Sequence, residues 1–239
     1  ARIASRSAKR PHEVVVSLNE RDPRWHDLVL VDIRTGARTV LFRNERFVGF
    51  DLDDDFRIHF ATEPLPDGGT RVVRRRGDAW ETFAEFAIGD EMASGVDHVS
   101  ADGAVAYVLD NRGRDTAALF ETDLATGATK LLAERADCDV QGTISHPVTR
   151  RVQAVCFDRL REEWVVIDPS IAPDLDAIAA LGDGEVRITS RTLDDRTWSI
   201  AIVPDDGPVR YHLWDRTTRT ARFLFSNRRA LEGVRLTKM

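Results

Sequence analysis

The chain has 239 residues, 42% of them hydrophobic and 31% charged, and carries a formal net charge of −6 at pH 7. A polypeptide of that length buries roughly 70 to 75% of its unfolded surface, and its ordinary balance of apolar and charged residues excludes a disordered or fibrous chain. Of the 34 lysines and arginines only Lys9, Lys130 and Lys238 are lysine, leaving 31 arginines, and no face collects them into the basic stripe that nucleic acid requires.

The first residues, Ala1-Arg-Ile-Ala-Ser5, read as a strand rather than a signal peptide. They open the chain, without a methionine, in the middle of a first repeat over residues 1–46. Its strands are expected at Val14 to Leu18, Asp27 to Val31 and Arg38 to Phe42, where β-branched and large apolar residues suit a pleated surface. Between the first two of these, Asn19-Glu-Arg-Asp-Pro-Arg-Trp-His26 is expected to form a loop wider than a tight hairpin needs, presenting Arg21, Asp22, Arg24 and His26.

A second repeat, 47–93, places strands at Phe47 to Asp51, Arg57 to Ala61, Thr70 to Arg74 and Trp80 to Phe86. The third, 94–139, shows the order most plainly: Gly95 to Val99, a Ser100 to Gly103 turn, Ala104 to Leu109, Ala117 to Thr122, a hairpin at Asp123 to Gly127, then Thr129 to Ala133. Its Asp110 to Asp115 loop matches the one in the first repeat and presents Arg112, Arg114 and Asp115. Together the two loops predict a charged surface at one mouth of the fold, with salt bridges between repeats as the simpler alternative.

The fourth repeat, 140–184, has strands at Val152 to Phe157 and Trp164 to Ile167 and then departs from the pattern. Residues 171–181 read as a short helix, with Pro173 in its first turn, Leu175, Ile178 and Leu181 apolar, and Gly182 as a stop. This helix replaces or displaces the outer strand, and plugging that edge is a sufficient reason for it. A fifth repeat, 185–230, contains Val186 to Ser190, Trp198 to Val203, Val209 to Trp214 and Ala221 to Phe225, and 231–239 reads as a linker toward a further domain.

Counted from Asp32, Gly77, Asp123, Asp168 and Asp215, the hairpin markers are 45, 46, 45 and 47 residues apart. That period is what a four-stranded propeller blade consumes. The expected fold is therefore all-β: a single β-propeller segment of about five four-stranded antiparallel blades with one short helix.

Catalytic signatures are few. Gly-x-Ser-x-Gly, a phosphate loop, His-Glu-x-x-His and any cysteine or histidine cluster are missing, and the six histidines are scattered. Cys138 and Cys156, 18 residues apart, read as free thiols of a reducing compartment, and a cytoplasmic location is expected. No apolar run approaches the ~20 residues that span a bilayer, so no membrane partner is expected. Asp51-Leu-Asp-Asp-Asp55 caps a strand junction more readily than it binds calcium, and no metal or cofactor is expected. Arg74-Arg-Arg-Gly-Asp78 reads as a solvated hairpin. Thr192-Leu-Asp-Asp-Arg-Thr-Trp198 is one residue short of the Asp-box of sialidases and has Arg196 where that motif has glycine, so it reads as an Asp-rich turn before a buried tryptophan.

Several runs carry a family resemblance. They are Lys9-Arg-Pro-His-Glu-Val-Val-Val16, Leu18 to Asp27, Asn111-Arg-Gly-Arg-Asp-Thr-Ala117, Asp205-Asp-Gly-Pro-Val-Arg-Tyr211 and Phe223 to Gly233. In order and spacing they resemble the propeller of bacterial prolyl oligopeptidase family serine peptidases, of the acylaminoacyl-peptidase and dipeptidyl-aminopeptidase-like branch. The resemblance implies a ring of seven or eight blades that caps a C-terminal α/β-hydrolase domain, absent here, with Leu236 to Met239 at the junction. It implies a non-catalytic role: gating the access of short peptide substrates to a serine nucleophile outside this chain. No member of a catalytic triad has a matching position. The alternative is an autonomous propeller that binds a ligand or protein. An open arc of blades would expose apolar faces and self-associate or close into a smaller ring.

Overall fold

The computed structural model describes residues 1–234, 236 and 237. Strands β1 (Arg2–Arg6), β2 (Glu13–Asp22), β3 (Trp25–Asp32) and β4 (Arg38–Phe42) form one antiparallel sheet in that order. The next sheet is β5 (Gly49–Leu52), β6 (Ile58–Pro64), β7 (Thr70–Arg76) and β8 (Ala79–Phe86). The third is β9 (Gly95–Val99), β10 (Val105–Asp110), β11 (Ala118–Asp123) and β12 (Thr129–Ala133). A three-stranded sheet follows, β13 (Val140–Ser145), β14 (Val152–Asp158) and β15 (Glu162–Val166), and then a four-stranded one, β16 (Glu185–Arg191), β17 (Thr197–Val203), β18 (Arg210–Asp215) and β19 (Thr220–Ser226). These are blades of a β-propeller, and the chain is all-β apart from one short helix and three brief 3-10 turns among the described residues.

The strand read at the first residues is present: Arg2 to Arg6 pairs with Val14 to Ser17 and makes the first sheet four-stranded. One expectation is corrected. Asn19 to His26 is not a wide loop, because β2 and β3 continue until Asp22 faces Trp25, leaving a two-residue turn at Pro23 and Arg24. The polar residues there sit on an extended hairpin, which tolerates them because it runs beyond the packed part of the sheet.

The fourth sheet lacks an outer strand, as the helical pattern at 171–181 predicts. A 3-10 turn, Pro169–Ile171, leads into α1 (Ala172–Ala179). Asp168 begins it by accepting the Ser170 backbone N–H at 2.9 Å. The turn buries Ile171 and the helix buries Ile178, both completely, against Ile144, Ala154, Trp198, Ile200 and Trp214. The junction expected at 236–239 falls partly on Lys238 and Met239, which lie outside the described residues.

The chain divides into two compact units, Ala1–Val140 and Gln141–Met239. In the first, the core lies between the faces of successive sheets. Val15 and Leu28 pack on Leu52, Phe56 and Ile58. Phe60, Val72, Ala84 and Phe86 pack on Val99, Ala106, Val108 and Leu124. Each of the valine, leucine, isoleucine and phenylalanine side chains among them contributes roughly 1.5–3 kcal/mol by leaving water. Central strands buried on both faces read as continuous apolar runs, as in Val105 to Val108. In the second unit the face of β19 stays open, with Phe223 and Phe225 51% and 53% exposed.

Turn chemistry explains the regular markers. Asp32, Asp123 and Asp215 each accept two backbone N–H groups of their own turn through Oδ1: from Arg34 and Thr35, Ala125 and Thr126, Thr217 and Thr218. The turn closes on a residue of positive φ, Gly127 at 77° and Arg219 at 51°. Asp168 uses the same bond to start the helix instead.

The inner turns join neighbouring sheets of the first unit. Ser7 Oγ donates to the Asp54 carbonyl at 2.6 Å and the Asp54 N–H donates to the Ala101 carbonyl at 3.3 Å. Gly103, at φ 71°, lies so close that a Cβ there would come within 2.6 Å of the His59 ring. Gly103→Ala should therefore combine left-handed backbone strain with displacement of His59 from Asp53. The expected loss is about 2 kcal/mol in urea unfolding; an unchanged midpoint would show that this contact does not hold the sheets together.

Candidate functional site

The seven residues expected at the charged mouth lie at equivalent ends of two sheets. Arg21 and Asp22 close β2, Arg24 occupies the turn and His26 is the second residue of β3. Arg112, Arg114 and Asp115 lie on the connection from β10 to β11. Among the described residues no hydrogen bond or ion pair joins the two groups.

Their charges are instead satisfied nearby. Asp22 Oδ1 accepts the Arg24 backbone N–H at 2.9 Å, and the Arg24 guanidinium returns to the same carboxylate at 2.9 and 3.1 Å. Asp110 and Arg112 repeat this Asp-x-Arg clasp at 2.6 to 3.1 Å, and Asp32 with Arg34 repeats it on a hairpin turn. Arg21 holds Asp27 through two bonds of 2.8 and 2.9 Å and donates to the Asn44 carbonyl. Arg114 pairs with Glu134 at 2.6 Å. Salt bridges between repeats, the simpler expectation, are thus replaced here by pairs inside a repeat. The contact that does cross is aromatic: Arg112 lies 4.9 Å over the Phe86 ring of the preceding sheet. Asp115 is exposed and His26 half-buried.

The clasps set the electrostatics. Asp22 is pulled down to about 2, first by the Arg24 side chain and then by its backbone N–H. Asp27 is likewise held low by Arg21. Because these are depressed carboxylates, the contacts are complete above the ordinary aspartate value and are lost only as pH falls toward the lowered one.

Elsewhere, polar clusters that could suggest chemistry have structural partners. In Asp51 to Asp55, Asp53 accepts the backbone N–H groups of Asp55 and Arg57, both at 2.9 Å, and lies 2.9 Å from His59 Nε2. No serine hydroxyl bonds to that histidine among the described residues, nor is any group of three or more His, Cys, Asp or Glu arranged to hold a metal. Cys156 is buried and forms no disulfide, and burial pushes its thiol up to about 12, which disfavours the thiolate.

The most connected polar group was hidden from sequence reasoning. In the turn before Trp198, Asp195 at φ 56° accepts the indole N–H of Trp198 at 2.7 Å and binds both Arg191 and Arg216. Arg216 also bonds Asp174 of α1 at 2.9 Å, and Asp174 accepts the Trp214 indole N–H at 2.9 Å. Two buried aspartates, two arginines and two tryptophans therefore clamp the helix to the last sheet. The Asp-rich turn and the buried tryptophan were legible, but α1's part in the clamp depends on residues about forty positions apart.

No family model matches the chain. It is 42% identical over 235 residues to dipeptidyl aminopeptidase BIII of Pseudoxanthomonas mexicana, a match covering 98% of this chain and 34% of that protein. It is 22% identical over 238 residues to dipeptidyl peptidase family member 6 of Caenorhabditis elegans, covering 94% and 32%. The chain thus spans about a third of the length of the curated relatives it matches. Among solved structures it superposes on a prolyl endopeptidase with TM-score 0.58 at 14% identity, covering 89% of this chain and 33% of that one. Prolyl oligopeptidase B of Galerina marginata gives 0.57 at 10% identity, covering 92% and 33%. The resemblance read from the sequence, to a propeller of the prolyl oligopeptidase family, is borne out by a homologous dipeptidyl aminopeptidase and by the shared fold.

Two outcomes test the site's electrostatics. Arg24→Ala should raise the Asp22 midpoint from about 2 toward the ordinary ~3.9, read by carboxyl NMR; a midpoint that stays put would assign the depression to the turn backbone. Asp195→Asn removes the shared charge of a buried ion cluster and should cost roughly 3–5 kcal/mol in denaturant unfolding, whereas a loss under 1 kcal/mol would show the clamp to be dispensable.

Proposed function

We propose that this chain is the non-catalytic propeller of a serine peptidase acting on short peptides, and that it limits access to a hydrolase domain outside these residues. The observation that carries the reading is the shape of the match to a dipeptidyl aminopeptidase. A 42% identity runs through 98% of this chain yet occupies 34% of a dipeptidyl aminopeptidase, so most of the relative lies beyond the matched part. The paired charges on the β2–β3 hairpin and the β10–β11 loop supply a hydrated, self-satisfied edge past which a peptide could travel. In this reading Arg21, Asp22, Arg24, His26, Arg112, Arg114 and Asp115 line the propeller mouth. The open face of β19, with Phe223 and Phe225 exposed, makes self-association of the isolated chain part of the same proposal.

A fluorophosphonate probe should leave the 239-residue chain unlabelled and label the whole protein outside it. Gel filtration of the isolated chain should show concentration-dependent association. In the whole protein, hydrolysis should fall steeply as peptide length rises. Labelling within this chain, or equal rates on short peptides and folded proteins, would overturn the proposal.

A further inference from the structure

Between the second and third sheets, inside the first compact unit, lies a cavity of about 390 Å³. That volume is within the range of sites for small organic ligands. It is bounded on one side by β7 and β8 and on the other by β10, β11 and the turn into β12. Phe83, Val108 and Phe120 give it an apolar wall, and Arg74, Arg76 and Arg112 give it three guanidinium groups.

Those three cations are not equivalent. Arg112 is clasped by Asp110, and Arg76 lies 3.5 Å from Glu81, so each has a carboxylate of its own. Arg74 has none among the described residues. It donates through one terminal nitrogen to the Leu124 backbone carbonyl across the gap between the sheets. A guanidinium carries five N–H donors, and those of Arg74 not used by Leu124 have no protein acceptor among the described residues. Burial, and after it the neighbouring Arg76, work against its charge and lower its affinity for the proton, and Glu81 and Asp123 oppose them only in part. An anion placed beside it would relieve that cost.

We propose that this cavity binds a small organic carboxylate bearing an apolar or aromatic group, with Arg74 holding the carboxylate and Phe83, Val108 and Phe120 contacting the apolar part. The lining's three arginines and its two carboxylates, Glu81 and Asp110, leave one net positive charge, which matches a monoanion. A phosphate dianion would need a second. The planar fork of arginine also matches a carboxylate through two parallel hydrogen bonds. Nothing in the position of Arg74 announced this in the sequence, where it reads as the start of a solvated Arg-Arg-Arg-Gly-Asp hairpin.

The inference is independent of any peptidase activity, because its test reads binding alone. N-acetyl-L-phenylalanine and its amide, which differ in the carboxylate, are titrated against the full chain by amide NMR at low salt. The carboxylate should bind at least tenfold more tightly, shifting the backbone signals of Val108, Phe120 and Thr122. Arg74→Gln should weaken it at least tenfold, while Arg34→Gln, on a distant turn, should leave it unchanged. Inorganic phosphate should bind more weakly than the carboxylate. Equal binding of acid and amide, shifts confined to other residues, equal loss in both variants or tighter binding of phosphate would each overturn the proposal. Should Arg74→Gln fail to fold, the acid and amide comparison on the unaltered chain decides alone.

Discussion

The spacing of about 46 residues is at once a repeat length and a contact distance. A blade's two faces are both apolar, and each must be covered by a neighbouring sheet before the strands hold. The blade that arrives one period later does this, and the hydrogen bonds record it. In the first unit Arg2 reaches Val48, Ser7 reaches Asp54 and Arg10 reaches Asp55, at separations of 46, 47 and 45 residues. In the second, Arg191 reaches Ser145 and Arg216 reaches Ser170, each 46 residues away. Arginine dominates these crossings because a long stem with a planar fork can pass over a sheet edge and still bond a carbonyl squarely.

The same economy of charge bears on function. Thirty-one arginines in an acidic chain suggest a surface waiting for partners, yet nearby aspartates and glutamates claim many of them. Asp22, Asp32 and Asp110 each bind the arginine two residues on, which closes a turn and satisfies a guanidinium together. What is left over becomes informative. Arg74 stands out because it is half-buried and no carboxylate bonds it among the described residues, whereas the arginines of the two loops each hold a carboxylate.

Legibility followed sequence distance. The helix at 171–181 could be read because proline, spaced apolar residues and a glycine stop are local signals, and α1 was found at Ala172–Ala179. The Asn19 to His26 segment was misjudged because polar residues suggest a loop, while the pairing of Asp22 with Trp25 is decided by the strands continuing on either side. The clamp around Asp195 combines Asp174, Arg191 and Arg216 from three elements, and only packing could assemble it.

The sequence by itself determined the all-β class, the number of repeats, the turns that separate them and the resemblance to the peptidase propellers, since each depends on neighbours along the chain. Turn chemistry and alternating strands act over a few residues, and a period needs only to be counted. The tertiary structure decided which charges are spent and which are free. A guanidinium's partner can come from any strand that folding brings within 3 Å or so, and no spacing along the chain states whether the carboxylate facing it will be there.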